Sequence, residues 1–227
     1  VLGVFVVTGF LFVAASVNAD GADYRPAGGD IGSLLQERSQ HIAQQRTTAR
    51  NLREDIDALS SSVSGTALKT YLAKVKTLEE PTGLTALEGP GIRITLDDAP
   101  RSVDDPDVDP NWLVVHQQDI QAYVNALWAG GAEAISLQGQ RLLSTSGIKC
   151  VGNVVVLDGV PYSPPYVIRA VGDTIDMNAS VETSPETISY ANYSKKYQLG
   201  LKVESVDNLK INAYAGPVGL RYAKPAN

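Results

Sequence analysis

The chain has 227 residues, 44% of them hydrophobic, and a formal net charge of −6, enough for one ordinary domain with extensions. Between Asp97 and Asp109 six Asp meet a single Arg, while acids and bases nearly balance on either side. No basic stripe or tail exists, which excludes the electrostatic footprint of a nucleic-acid binder. A single cysteine, Cys150, excludes an intramolecular disulfide.

Residues Val1 to Ala19 carry no charge and no Pro. A bilayer core of about 30 Å needs roughly 20 apolar residues in a helix, so this run is read as a transmembrane anchor. The flank that follows, DGADYRPAGGD, holds one Arg against three Asp, which suits the outer side of a membrane. A cleaved signal peptide is the alternative, because Val17-Asn18-Ala19 ends in small residues. Residues 20–29 read as a flexible spacer.

Asp30 suits the N-cap of a long helix. From there Leu35, Ile42, Ala49, Ile56 and Val63 recur every seven residues, with Leu52 and Leu59 on the companion series. That pattern predicts a coiled-coil stalk over 30–80, formed with a second copy or a paralogue. Arg38 and Gln45 interrupt the companion series, so a lone helix packed on its own domain is the competing reading. Ser60-Ser61-Ser62 and Gly65 predict a break, and Pro81 ends the second helical stretch.

A hinge over 81–90 leads into an α+β domain over 91–215, with a flexible tail over 216–227. Ile92 to Leu96 alternates apolar and polar, as a half-buried strand does. An Asp- and Pro-rich loop follows. Gln117 to Ala129 is amphipathic, with Ile120, Val124, Leu127 and Trp128 assigned to its inner face. Ala134 to Leu137, Ile148 to Leu157, Val160 to Tyr162 and Tyr166 to Val171 read as strands, with a hairpin turn at Asp158-Gly159. Thr174 to Tyr197 is polar and partly helical, Pro185 opening a new helix. Leu199 to Tyr214 contains the last strand or strands, with Asn208 in a turn. This order predicts a ferredoxin-like domain, two helices on one face of an antiparallel sheet whose other face is open.

Three stretches carry a family resemblance. They are Gly89-Pro90-Gly91-Ile92, the run LWAGGAEAISLQGQRL from Leu127 to Leu142, and PYVIRAVGD from Pro165 to Asp173. Together they resemble the YlxW-like bacterial membrane proteins, domain of unknown function 881. The resemblance implies a single-pass protein of Gram-positive bacteria, its domain outside the cytoplasm, often encoded near division and cell-wall genes. It implies no activity and no cofactor. The Asp-rich insertion and the polar segment after Thr174 depart from the family's pattern.

Chemistry is sparse. His41 and His116 are isolated and cannot build a His-rich metal site. No nucleophile elbow surrounds Ser144 or Ser146, and phosphate-loop and dinucleotide glycine patterns are absent, so no enzyme is expected. The Asp cluster, with Asp104, Asp105, Asp107 and Asp109, invites a calcium reading. Counted from Asp105, a calcium-hand loop would need Gly at Pro110 and Glu at His116, so that pattern fails. A looser calcium site is weighed against a solvated loop. Cys150, inside IKCVGNVVVL, reads as an inert core thiol, pairing with another chain being the alternative. Gln138, Gln140 and Arg141 form a polar turn, read as a partner surface or as amides satisfying nearby carbonyls. Arg169 and Asp173 read the same way, an ion pair at a strand end being the alternative to a partner contact.

These readings predict a membrane-tethered, extracytoplasmic interaction or scaffold protein, with division or other envelope proteins as partners. The alternative is an envelope binding module that senses a ligand or ion through the Asp-rich loop and the Gln138–Arg141 turn. A cell-wall hydrolase ranks last, lacking a carboxylate pair or a nucleophile.

Overall fold

The computed structural model describes residues 31–62, 66–100, 108–152 and 154–216. The anchor Val1–Ala19, the spacer, Asp30, Val63, Gly65, Asp104, Asp105, Asp107 and the tail from 217 lie outside the described residues. No helix among the described residues is long and apolar enough to cross a membrane.

Helices α1 (Ile31–Ser62) and α2 (Thr66–Glu79) precede the domain, matching the predicted break and the stop before Pro81. Strand β1 (Leu87–Asp97) follows, then a 3-10 turn (Pro110–Leu113) and α3 (Gln117–Ala129). Next come β2 (Ala134–Leu137), β3 (Gln140–Arg141), β4 (Ile148–Val151), β5 (Val154–Leu157), β6 (Val160–Tyr162) and β7 (Tyr166–Val171). Helices α4 (Thr174–Thr183) and α5 (Pro185–Tyr197) and strand β8 (Gly200–Ile211) complete the fold.

The main sheet has the order β3-β2-β7-β1-β8 and is antiparallel throughout. Successive side chains on a strand face opposite ways, so Ile92, Ile94 and Leu96 stand on one face beside Tyr166, Ile168 and Ala170 of β7. Against that face pack Ile120, Tyr123 and Leu127 of α3, Met177 and Val181 of α4 and Tyr190 of α5, in one buried core. Spacings of three and four residues put the α3 positions on one stripe. Trp128, assigned to that stripe, lies at its margin and is 41% exposed.

Several expectations need correcting. The run Ile148–Leu157 is two strands, because Gly152 adopts a positive φ of 59° that turns the chain back on itself. They form a separate sheet of order β4-β5-β6. Cys150 is exposed rather than buried: β4 is an edge strand that buries only Ile148. Asn208 sits within β8, not at a turn between strands. Gly89 pairs with Leu209 and Gly91 with Val206, so Asp207 and Asn208 together oppose Pro90, whose missing N–H suits a bulge.

That bulge bends the β1–β8 ribbon. A methyl group on Gly91 would come within 2.0 Å of the Ala170 carbonyl oxygen, so only glycine lets the two backbones approach this closely. Beyond the bend, Leu87, Leu209 and Ile211 pack on Ala134 and Val171, which belong to the sheet's second face. The second face is therefore partly covered, not open along its length.

Candidate functional site

The polar turn after β2 is built by backbone conformation. Gln138 and Gly139 take positive φ values of 52° and 77°, as the two central residues of a type I′ hairpin turn require. The Gln138 amide donates to the Pro165 carbonyl at 3.0 Å, and its oxygen accepts from the Val167 N–H at 3.2 Å. Gln140 donates to the Tyr162 hydroxyl. The Gln138 amide thus satisfies a neighbouring carbonyl, while the Gln140 amide is engaged by a side-chain hydroxyl.

Arg141 is different. It is 6% exposed, and one terminal nitrogen makes a long bond to the Thr85 carbonyl at 3.4 Å. Burial lowers its pKa, since desolvation penalises the charged guanidinium. Arg169 is half-buried on β7. Asp173 makes no pair with Arg169. Its carboxylate caps α4 instead, accepting from the N–H of Ile175 at 2.8 Å and of Asp176 at 3.2 Å.

Of the acidic loop, the described part is orderly. Asp109 caps the 3-10 turn by accepting from the Asn111 N–H at 2.9 Å. Among the described residues no three His, Cys, Asp or Glu side chains stand close enough to share a metal. Asp98 accepts from the Val115 N–H at 2.8 Å, and burial raises its pKa.

A groove of about 440 Å³ separates α3 from α5, lined among others by His116, Asp119, Glu186, Tyr190 and Tyr193. His116, read from sequence only as the residue before the helix, is its N-cap. Asp119 returns a bond to the His116 N–H at 2.8 Å, which closes the capping box. Burial raises the Asp119 pKa against that bond, and raises Tyr190 far above the ordinary phenol range. Tyr190 and Tyr123 meet edge to face at 5.7 Å. Of the groove's polar groups, His116 and Asp119 serve the helix cap, Tyr190 belongs to the core, and Glu186 accepts from the Ser184 hydroxyl at 2.8 Å.

The predicted stalk positions meet different surroundings. Ile42 and Ala49 are half-buried, on the face where Arg46 approaches Asp158 at 3.8 Å and Arg53 donates to the Tyr214 and Gly216 carbonyls at 2.8 Å each. Leu52, Ile56 and Leu59 point elsewhere and are 56%, 59% and 68% exposed. The side chains of Leu35 and Val63 lie outside the described residues. His41 is exposed on α1.

Comparison with known proteins places the chain. It is 40% identical to UPF0749 protein YlxW of Bacillus subtilis over 91 residues, 40% of this chain and 38% of that protein. It is 30% identical to UPF0749 protein Rv1823 of Mycobacterium tuberculosis over 79% of this chain and 60% of that one. UPF0749 protein Rv1825 of the same organism is 28% identical, over 99% of this chain and 73% of its own length. The chain thus spans less than two thirds of the first two. A crystal structure of an uncharacterized conserved protein from Mycobacterium tuberculosis shares the fold, with a TM-score of 0.51 at 24% identity. It covers 67% of this chain and 99% of that one. The family model "Bacterial protein of unknown function (DUF881)" matches residues 74–224, and the chain belongs to that family.

Proposed function

We propose that this protein is a non-enzymatic interaction module, tethered at the outer face of a cell membrane and paired with a second copy or a paralogue through α1. The carrying observation is the exposed row Leu52, Ile56 and Leu59, with a second exposed set, Tyr71, Val75 and Leu78, on α2. Each set follows the spacing of a helical seam, and apolar side chains at that spacing gain by burial against a partner helix. The Val1–Ala19 run supplies the tether, and the sheet order β2-β7-β1-β8 with its helices supports reading the domain as ferredoxin-like. Division or other envelope proteins are the proposed partners of the α+β domain.

Cysteine crosslinking of the full chain in membranes tests the pairing. In a Cys150→Ser background, Leu52→Cys is expected to yield a disulfide-linked dimer under mild oxidation. Glu54→Cys, on the solvated side of the helix, is expected to yield little. Equal crosslinking at both positions, or none at either, would refute a paired stalk.

A further inference from the structure

The second face of the main sheet carries an arrangement that packing does not explain. Arg141 pairs with Ser136, Ser136 with Arg169, Arg169 with Arg93, and Arg93 with Glu204. Cross-strand partners share a face, so three arginines and a buried serine form one row over four neighbouring strands. At about 4.8 Å per strand the row from Arg141 to Arg93 is roughly 14 Å long.

Arg93 and Arg169 are directly opposite, a placement that like charges disfavour. Glu204 offsets it only in part, because its carboxylate lies in the field of Arg93 but is bonded by Lys202 at 2.8 Å and forms no ion pair with Arg93. Among the described residues no carboxylate pairs with Arg93, Arg141 or Arg169. Among the described residues three buried side-chain polar atoms are left without a hydrogen-bond partner, and two of them belong to this row: Arg93 Nε and Arg141 Nε. The third is the Thr85 hydroxyl, in the segment that crosses beside the Arg141 guanidinium. Buried charges elsewhere in proteins are paired, and a local rule broken without structural return marks a functional place.

We infer that this row, Arg141, Arg169 and Arg93 with the Ser136 and Thr85 hydroxyls, is a binding site for a phosphate group. The unpartnered groups are two guanidinium Nε donors and the Thr85 hydroxyl, and the one carboxylate beside the row, Glu204, is shared with Lys202, so the missing piece is an anion. A phosphate offers several acceptor oxygens in different directions and up to two charges, which suits donors arriving from separate strands and from the crossing segment. A carboxylate presents its acceptors in one plane and suits a single arginine fork.

Titration of the full chain, held in a non-ionic detergent, tests the site with inorganic phosphate as the probe. Ionic strength is kept constant with chloride, and acetate is run in parallel. The expected result is a saturable heat and a melting temperature raised by phosphate but not by chloride or acetate. Arg169→Gln and Arg93→Gln, both at half-buried positions, should each weaken binding about tenfold or more. Lys210→Gln, an exposed change on β8 outside the row, should leave it unaltered. Absence of binding would overturn the site and leave the donors to buried water. Equal stabilisation by acetate, or undiminished binding in both arginine variants, would overturn it equally.

Discussion

Asp173 stands where the chain leaves β7 and enters α4, and its carboxylate takes two N–H groups that the helix cannot satisfy itself. From sequence the same residue reads as one end of an ion pair or as a partner contact, because a cap and a salt bridge call for the same side chain. The difference has a measurable consequence. Asp173→Ala should destabilise the domain by about 1 kcal/mol, while Asp173→Asn should cost only a fraction of that. Urea unfolding followed by the fluorescence of Trp112 and Trp128 would report both. Equal losses in the two variants would mean that charge, not capping, is what Asp173 contributes. Cys150 shows the converse limit. Its apolar neighbours point to burial, yet burial depends on which strand is at an edge, and that is decided by the turn at Gly152.

At the scale of elements, periodicity carries most of the information. The helices α3 and α5 and the strands β1, β2, β6 and β7 follow from spacing and turn residues, because each shows its buried stripe in a single short window. The bend of the β1–β8 ribbon does not, since it arises from the pairing of Pro90 with two residues over a hundred positions later. Hence a face expected to be open is half covered. The capping box of α3 supplies a pH prediction. Burial raises the pKa of Asp119, and a carboxyl whose folded pKa exceeds its unfolded one stabilises the fold at low pH. That contribution is present below the unfolded pKa and is lost as pH rises through the folded value. Asp119→Asn removes the charge and keeps an acceptor for the His116 N–H. The variant's melting temperature relative to the parent should therefore rise from pH 4 to pH 7. A difference that stays flat or reverses over this interval would show that the bond from His116 outweighs the cost of burial.

At the scale of the molecule, α1 faces two ways. One stripe (Ile42, Arg46, Ala49 and Arg53) lies toward its own domain, and the other (Leu52, Ile56 and Leu59) is exposed. The heptad alone could not separate these, because seven-residue spacing puts Ile42, Ala49 and Ile56 on one line whichever surface covers them. What separates them is Arg53, whose guanidinium holds two carbonyls of the chain after β8. That stretch also donates the Tyr214 N–H to the Gly83 carbonyl at 2.9 Å, so one arginine ties the helix to both the exit and the entry of the sheet domain. Charge-assisted bonds of this kind contribute about 1.5–3 kcal/mol when partly shielded. Arg53→Ala should loosen the stretch locally, since the buried core of the sheet and helices α3 to α5 does not include it. Hydrogen exchange of the full chain is expected to quicken at residues 212–216 and along α1 near Arg53, with β1 and β7 protected as before. Unchanged exchange at Tyr214 would mean that the bond to Gly83 holds the stretch unaided. Faster exchange throughout the sheet would mean that α1 is part of the domain's cooperative unit rather than a stalk resting on it.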